Sequence, residues 1–244
     1  MNERNSGKSG AGSIIAATII IGAVLIICTL ILRSTIITIK GYGNTISVTG
    51  AAFRPIESDF AIWEAELSVT TLTIEEGYVK LKKDLSLLKA FLDDNGFGEN
   101  DYEITGIQIR KQFDRDRRPI GVTLARRVRI ELEDVGRISK LARDASTILE
   151  KGVELVSFNP QYLCTKLDDL KVEMIKAATE NARLRAGQLA ETAGKKVGAP
   201  TSARVGIFQI RPLHSQEVSA YGISDVSSID KEIACTVHIS FLID

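Results

Sequence analysis

The chain has 244 residues with 31 basic and 31 acidic side chains, 44% hydrophobic and 25% charged residues, two histidines and three cysteines. Balanced charge gives no electrostatic bias toward nucleic acid or an anionic bilayer, and the length allows a sizeable core, as one domain or two lobes. Cys28, Cys164 and Cys235 stand far apart, with no C-x-x-C and no zinc-type Cys/His spacing, so neither metal nor cofactor is expected.

Behind Arg4 and Lys8, Ser9 to Leu32 contains no charged side chain, and Ile14 to Leu32 is almost entirely aliphatic. At about 1.5 Å per residue that aliphatic run covers roughly 29 Å, matching a hydrocarbon core of roughly 30 Å. It is longer than a signal-peptide core of about 7–15 residues, and Arg33 follows without an A-x-A-like cleavage site. Ile27 before Cys28 is not the small residue a lipoprotein cysteine would need. The segment 13–33 is therefore read as an uncleaved membrane anchor between a short tail (1–12) and a linker (34–45). Arg4 and Lys8 on one side are balanced by Arg33 and Lys40 on the other, which leaves orientation open. No later stretch is expected to span a membrane.

Beyond the Gly41-Tyr42-Gly43-Asn44 joint, alternation in ISVTGAAF (46–53) predicts a strand closed by Pro55, and Phe60 to Thr71 predicts a second with one wetter face. Thr73 and Glu76 form a capping box. Tyr78, Leu81, Leu85, Leu88 and Leu92 then mark one apolar helix face, ended by Asn95-Gly96. Tyr102–Phe113 and Ile120–Leu132 read as strands of a long hairpin joined by DRDRRP.

That hairpin carries Arg115, Arg117, Arg118, Arg126, Arg127 and Arg129, the most basic patch of the chain. Two readings stand for it. One is a contact point for an anionic ligand or acidic partner; the other is a solvated hairpin whose arginines pair with Asp114, Asp116 and Glu131.

Asp134 caps a helix marked by Val135, Ile138, Leu141, Ala145 and Ile148 and stopped by Gly152. A short strand, Val153 to Cys164, is limited by Asn159-Pro160. The longest helix pattern runs from about Leu167 to Val197. Its stripe of Met174, Ala178, Ala182, Ala186, Leu189, Ala193 and Val197 is small enough for close approach to a sheet or another helix. Ala178, Ala182, Ala186, Leu189 and Ala193 form a candidate assembly stripe, and Gly187, which costs about 1 kcal/mol in a helix, is explained either by close packing or as a weak point. Gly194, Gly198 and Pro200 end the helix. Ala203–Ile210 and Ile233–Ile243 read as strands. Cys235, Val237, Ile239, Phe241 and Ile243 share one face of the latter, and Thr236, His238 and Ser240 the other. Pro212–Ile229 reads as a mobile loop.

The order β-β-α-β-β-α-β-α-β-β predicts an α+β fold of largely antiparallel sheet covered by helices, with lobes 46–152 and 153–244 as one division of the domain 46–244. Catalytic groups are not expected. His214 lies in the loop, His238 is a lone strand histidine, Asp168-Asp169 lie at the start of the long helix, where the dipole favours acids, and Asp93-Asp94 lack metal-ligand spacing. G-x-S-x-G, H-E-x-x-H and Walker A sequences are absent, and Gly41-Tyr42-Gly43 lacks the rest of a dinucleotide fingerprint. Cys164 and Cys235 could pair in an oxidising compartment; two buried free thiols are the plainer reading.

Three segments resemble the SIMPL-domain family of exported bacterial proteins: ISVTGAA (46–52), ATENARLRAGQLAETAGKKVGAP (178–200) and CTVHISFLI (235–243). The second is the most specific. Family members usually open with V-x-G-x-G, whereas Gly50 here is followed by Ala51 and Ala52. The resemblance implies an α+β domain outside the cytoplasm that self-associates, has no established catalysis and is linked to envelope stress tolerance. It also implies an N-in anchor with residues 40–244 on the outer side of the inner membrane.

Overall fold

The computed structural model describes residues 8–41 and 44–244; Arg4 in the tail and Tyr42-Gly43 in the expected joint lie outside the described residues. Helix α1, Lys8–Gly41, runs 34 residues. It continues past the expected end at 33 because Ser34–Lys40 contains neither glycine nor proline. The Thr29 and Thr35 hydroxyls donate to the carbonyls of Leu25 (2.7 Å) and Ile31 (2.9 Å), so neither needs a partner outside the helix. The window Ile19–Ile36 has a mean hydropathy of 2.5, and none of it is buried among the described residues.

The remaining elements are β1 (Thr45–Glu57), β2 (Phe60–Thr71), α2 (Ile74–Asp94), β3 (Tyr102–Ile104), β4 (Gln108–Phe113), β5 (Pro119–Leu132), α3 (Val135–Asp144), a 3-10 stretch (Ala145–Lys151), β6 (Leu155–Ser157), β7 (Gln161–Leu163), α4 (Leu167–Thr192), β8 (Val197–Val205), β9 (Gln209–Pro212), β10 (Ile223–Ser224) and β11 (Asp230–Ile243). One sheet has the order β1-β11-β9-β10 with β8 also on β11, and the other β3-β5-β2-β6 with β4 also on β5 and β7 also on β2. Pairing is antiparallel where the register is defined, except for the short β9–β10 pair.

The α+β class and the main helices follow the sequence pattern, and the strand order is finer than expected. Strand β1 passes through Pro55, which an edge strand tolerates because its outward N–H is not needed for a ladder. Tyr102–Phe113 and Val153–Cys164 each break into two strands, the second at Asn159-Pro160. Helix α4 ends at Thr192, before Gly194 turns the chain at φ 68°, and Val197 opens a strand instead of closing the helix. The expected loop 212–229 contains β10.

The chain forms two compact units built from discontinuous stretches. One comprises Met1–Gly50, Thr179–Arg204 and Val237–Asp244, and the other Ala51–Ala178 and Val205–Thr236. This is a different partition from consecutive lobes.

In the second unit β2 is the spine. Ala61, Trp63, Ala65, Leu67 and Val69 are fully buried, and the alternating Ile62, Glu64, Glu66 and Ser68 are half-buried. The buried face packs with Leu81, Leu88, Phe91 and Leu92 of α2 and with Ile138, Leu141 and Ile148. Trp63 satisfies its indole by donating Nε1–H to Ser157 Oγ at 3.0 Å. Thr73 caps α2 by accepting from the Glu76 N–H at 3.3 Å. Close approach explains Gly77, where a Cβ would lie 2.6 Å from Leu124 Cδ1. In the first unit, Val48, Val237, Ile239 and Phe241 are buried on strands, and Ala182, Ala186 and Ala190 on α4.

The buried face of α2 also holds a group that the apolar pattern passes over. Asp84 is 4% exposed, and its Oδ2 has no hydrogen-bond partner. Burial pushes its pKa above the usual carboxylate range, Glu154 adds to this, and Lys80 and Lys83 pull the other way. Burying the ionised form therefore costs stability at neutral pH. That cost is absent below the unfolded pKa of about 3.9 and grows as pH rises toward the folded value. Asp84→Asn is predicted to stabilise the protein by about 1–2 kcal/mol at pH 7 and by much less near pH 4. Thermal unfolding at the two pH values measures the difference; equal gains at both would reject it.

Candidate functional site: the arginine-rich hairpin

Strands β4 and β5 pair from Gln108–Ala125 to Phe113–Pro119, with an irregularity at Gln112/Phe113. Strand β4 is exposed along its whole length, including Ile109 and Phe113. Asp114 closes the tip. Its Oδ1 accepts from the N–H groups of Asp116 (2.9 Å) and Arg118 (2.7 Å), and its own N–H donates to the Arg118 carbonyl at 2.9 Å. Arg117 takes the left-handed conformation at φ 60°, an uncommon one for a residue other than glycine.

The six arginines do not form one patch. Arg127 and Arg129 stand directly opposite Glu66 and Glu64 in the β2–β5 register. Arg129 lies 2.8 Å from Glu64 and 2.6 Å from Glu131, and Arg127 lies 3.4 Å from Glu66 with its guanidinium over the Phe158 ring. The hydrogen bond that Arg129 donates to Glu131 leads the effects that hold its pKa above the ordinary value. Arg126 donates to the Thr105 carbonyl at 2.9 Å. Arg115, Arg117 and Arg118 at the tip are exposed and form no ion pair among the described residues. Asp114 serves the backbone of the turn, so the expected pairing with arginine holds only for Glu131. The chemistry left at the tip is three solvated guanidinium groups and the exposed Asp116 carboxylate, beside exposed Phe113 and Ile120.

The candidate stripe on α4 divides differently. Ala178, Ala182 and Ala186 are fully buried within the chain, and the row continues from Met174 to Ala190 at a spacing of four, whereas Leu189 is 53% exposed and Ala193 is exposed. The row follows one ridge of the helix, which a stripe mixing steps of three and four leaves. Gly187 has nothing within 4 Å of its Cβ position, so close packing does not account for it.

The titratable candidates do not converge. His214 is exposed in a turn at φ 67°, and His238 is exposed on β11, its Nδ1 2.9 Å from Thr49 Oγ1. Asp93 and Asp94 are exposed. Asp168 is bonded to Lys171 at 2.8 Å, which lowers its pKa. Cys164 is half-buried and Cys235 buried, both free thiols; burial raises the Cys235 pKa. Among the described residues no group of three His, Cys, Asp or Glu could hold a metal ion.

One buried cation escaped the sequence pattern. Lys231 is 2% exposed and donates to the carbonyls of Tyr162 (2.5 Å) and Asp225 (2.6 Å). Burial lowers its pKa, against the pull of Asp225 and Cys164. The available signal was parity, since Lys231 shares the inward face of β11 with Ile233 and Cys235.

No curated protein matches this chain. Among solved structures, one titled "De novo designed protein Foldit4" aligns at 19% identity over 41% of this chain and 93% of its own, with a TM-score of 0.23, a similarity too slight to carry an argument. Residues 46–241, from the first strand to the last, match SIMPL, protein of unknown function (DUF541), and the chain therefore belongs to the SIMPL family.

Proposed function

We propose that this protein is a membrane-anchored, extracytoplasmic SIMPL-domain protein that works by self-assembly in the cell envelope and not by catalysis. The observation that carries the reading is α1: its apolar side chains from Ile19 to Ile36 are buried by none of the described residues. Exposing that surface to water is unfavourable by about 25 cal/mol per Å², and a bilayer removes the cost. Assembly is supported by β8, a sheet-edge strand exposed from Ala199 to Val205, although Pro200 removes one donor from that edge. The non-enzymatic reading rests on the dispersed histidines and carboxylates.

A second reading is favoured by the hairpin tip, where Arg115, Arg117 and Arg118 lack acidic partners among the described residues. In that reading the tip captures an anionic ligand or acidic partner.

The full chain is expected to remain in the membrane fraction after alkaline carbonate extraction, and protease added outside spheroplasts should cleave beyond residue 44. Release by carbonate, or protection from the protease, would refute anchoring or orientation respectively. Detergent-solubilised protein should show a discrete oligomeric mass by light scattering at low and high salt; a monomer under both conditions would sink assembly. For the second reading, Arg117→Ala with Arg118→Ala should weaken salt-sensitive binding to heparin by about tenfold or more while leaving the melting temperature unchanged. Unaltered heparin binding would remove the tip from the reading.

A further inference from the structure

Within the first unit, the stretches 47–49 of β1, 238–240 of β11 and 202–204 of β8 present an outer face unlike that of β2–β5. Ser47 and Thr49, His238 and Ser240, and Ser202 and Arg204 line an open concavity of about 570 Å³. The β2–β5 face carries long side chains of both signs in cross-strand pairs. Here the side chains are mostly short hydroxyls, and no carboxylate lines the concavity. Arg204 enters no ion pair among the described residues.

The donors are already oriented. Thr49 Oγ1 and His238 Nδ1 lie 2.9 Å apart, which fixes the ring and leaves Nε2 for a ligand. Ser47 Oγ and Ser240 Oγ lie 2.8 Å apart, so one hydroxyl hydrogen bridges them and the other is left over. Arg185 of α4 donates to the Thr49 carbonyl at 3.0 Å, holding the β1 backbone at this point and adding positive charge to the site's surroundings.

We infer that this face binds a phosphate group, with Arg204 as the charged anchor and His238 and the serine hydroxyls as further donors. A guanidinium fork, an imidazole N–H and several hydroxyls suit the many acceptor lone pairs of a tetrahedral oxyanion. The concavity is open enough to take the phosphate free or as part of a larger molecule. A bilayer headgroup is one source of the latter, because Ser47 follows the end of α1 at Gly41 by six residues, a reach of about 21 Å at most.

The test exploits the two histidines. The full chain, solubilised in maltoside micelles that contribute no phosphate, is titrated with inorganic phosphate and separately with glycerol 3-phosphate while NMR follows the imidazole resonances. Both ligands should shift His238 saturably, and His214, which does not line this concavity, should stay in place as the internal reference. Arg204→Ala and the longer-stemmed Arg204→Gln should each raise the half-saturation concentration by about tenfold or more. Tighter binding of inorganic phosphate identifies the free ion as the ligand, and tighter binding of glycerol 3-phosphate identifies an esterified headgroup. No saturable shift of His238 with either ligand, an equal response of His214, or an unchanged midpoint in both Arg204 variants would overturn the inference.

Discussion

The pairing of β2 with β5 is the constraint on which the larger unit depends. It runs without a break from Ala61–Leu132 to Thr71–Val122. Because side chains alternate along a strand, this single register decides both faces at once. It sends Ala61, Trp63, Ala65, Leu67 and Val69 into the core beneath α2 and α3, and it sets Glu64 and Glu66 against Arg129 and Arg127 on the other side. A slip of β2 by one residue would turn Glu64 and Glu66 toward the core and expose Trp63. The adjoining elements take their positions from these two strands: β6 and β7 add to β2, and β3 and β4 add to β5.

The same register divides the arginines. Surface pairs such as Arg127–Glu66 contribute only about 0–1 kcal/mol each, but they use up charge locally. Beyond Val122 the β4–β5 hairpin extends past the last β2 partner, so its tip has no strand from which to draw carboxylates. Asp114 is drawn inward to close the turn, and Asp116 is exposed between Arg115 and Arg117 without an ion pair to either. Positive charge is thus neutralised where strands are paired and left available where the hairpin stands alone.

Two buried charged side chains, Lys231 and Asp84, have opposite standing. Lys231 is inside but has two carbonyls to receive its protons, so its burial also ties β11 to β7 and to the segment around Asp225. Asp84 is inside with an oxygen that nothing satisfies. The comparison separates a buried charge that organises the chain from one that weakens it, and the hydrogen-bonding partners, more than the depth of burial, make the difference.

The sequence by itself determined the apolar helix, the cap at Thr73, the helix face of α3 and that of α2 from Leu81 onward (the expected Tyr78 is exposed), the long hairpin, the alternation of β11 and membership of the family, because each is written in residues close along the chain. Hydrophobic period, capping chemistry and turn residues act over a few positions. What required the tertiary structure was every feature set by a distant partner. Arg129 is neutralised by Glu64, sixty-five residues away; Ala190 rather than Leu189 completes the buried row on α4; Thr49 meets His238 across nearly the whole domain. Local patterns set what each segment becomes, and the pairing of strands far apart in the chain decides which charges remain free to act.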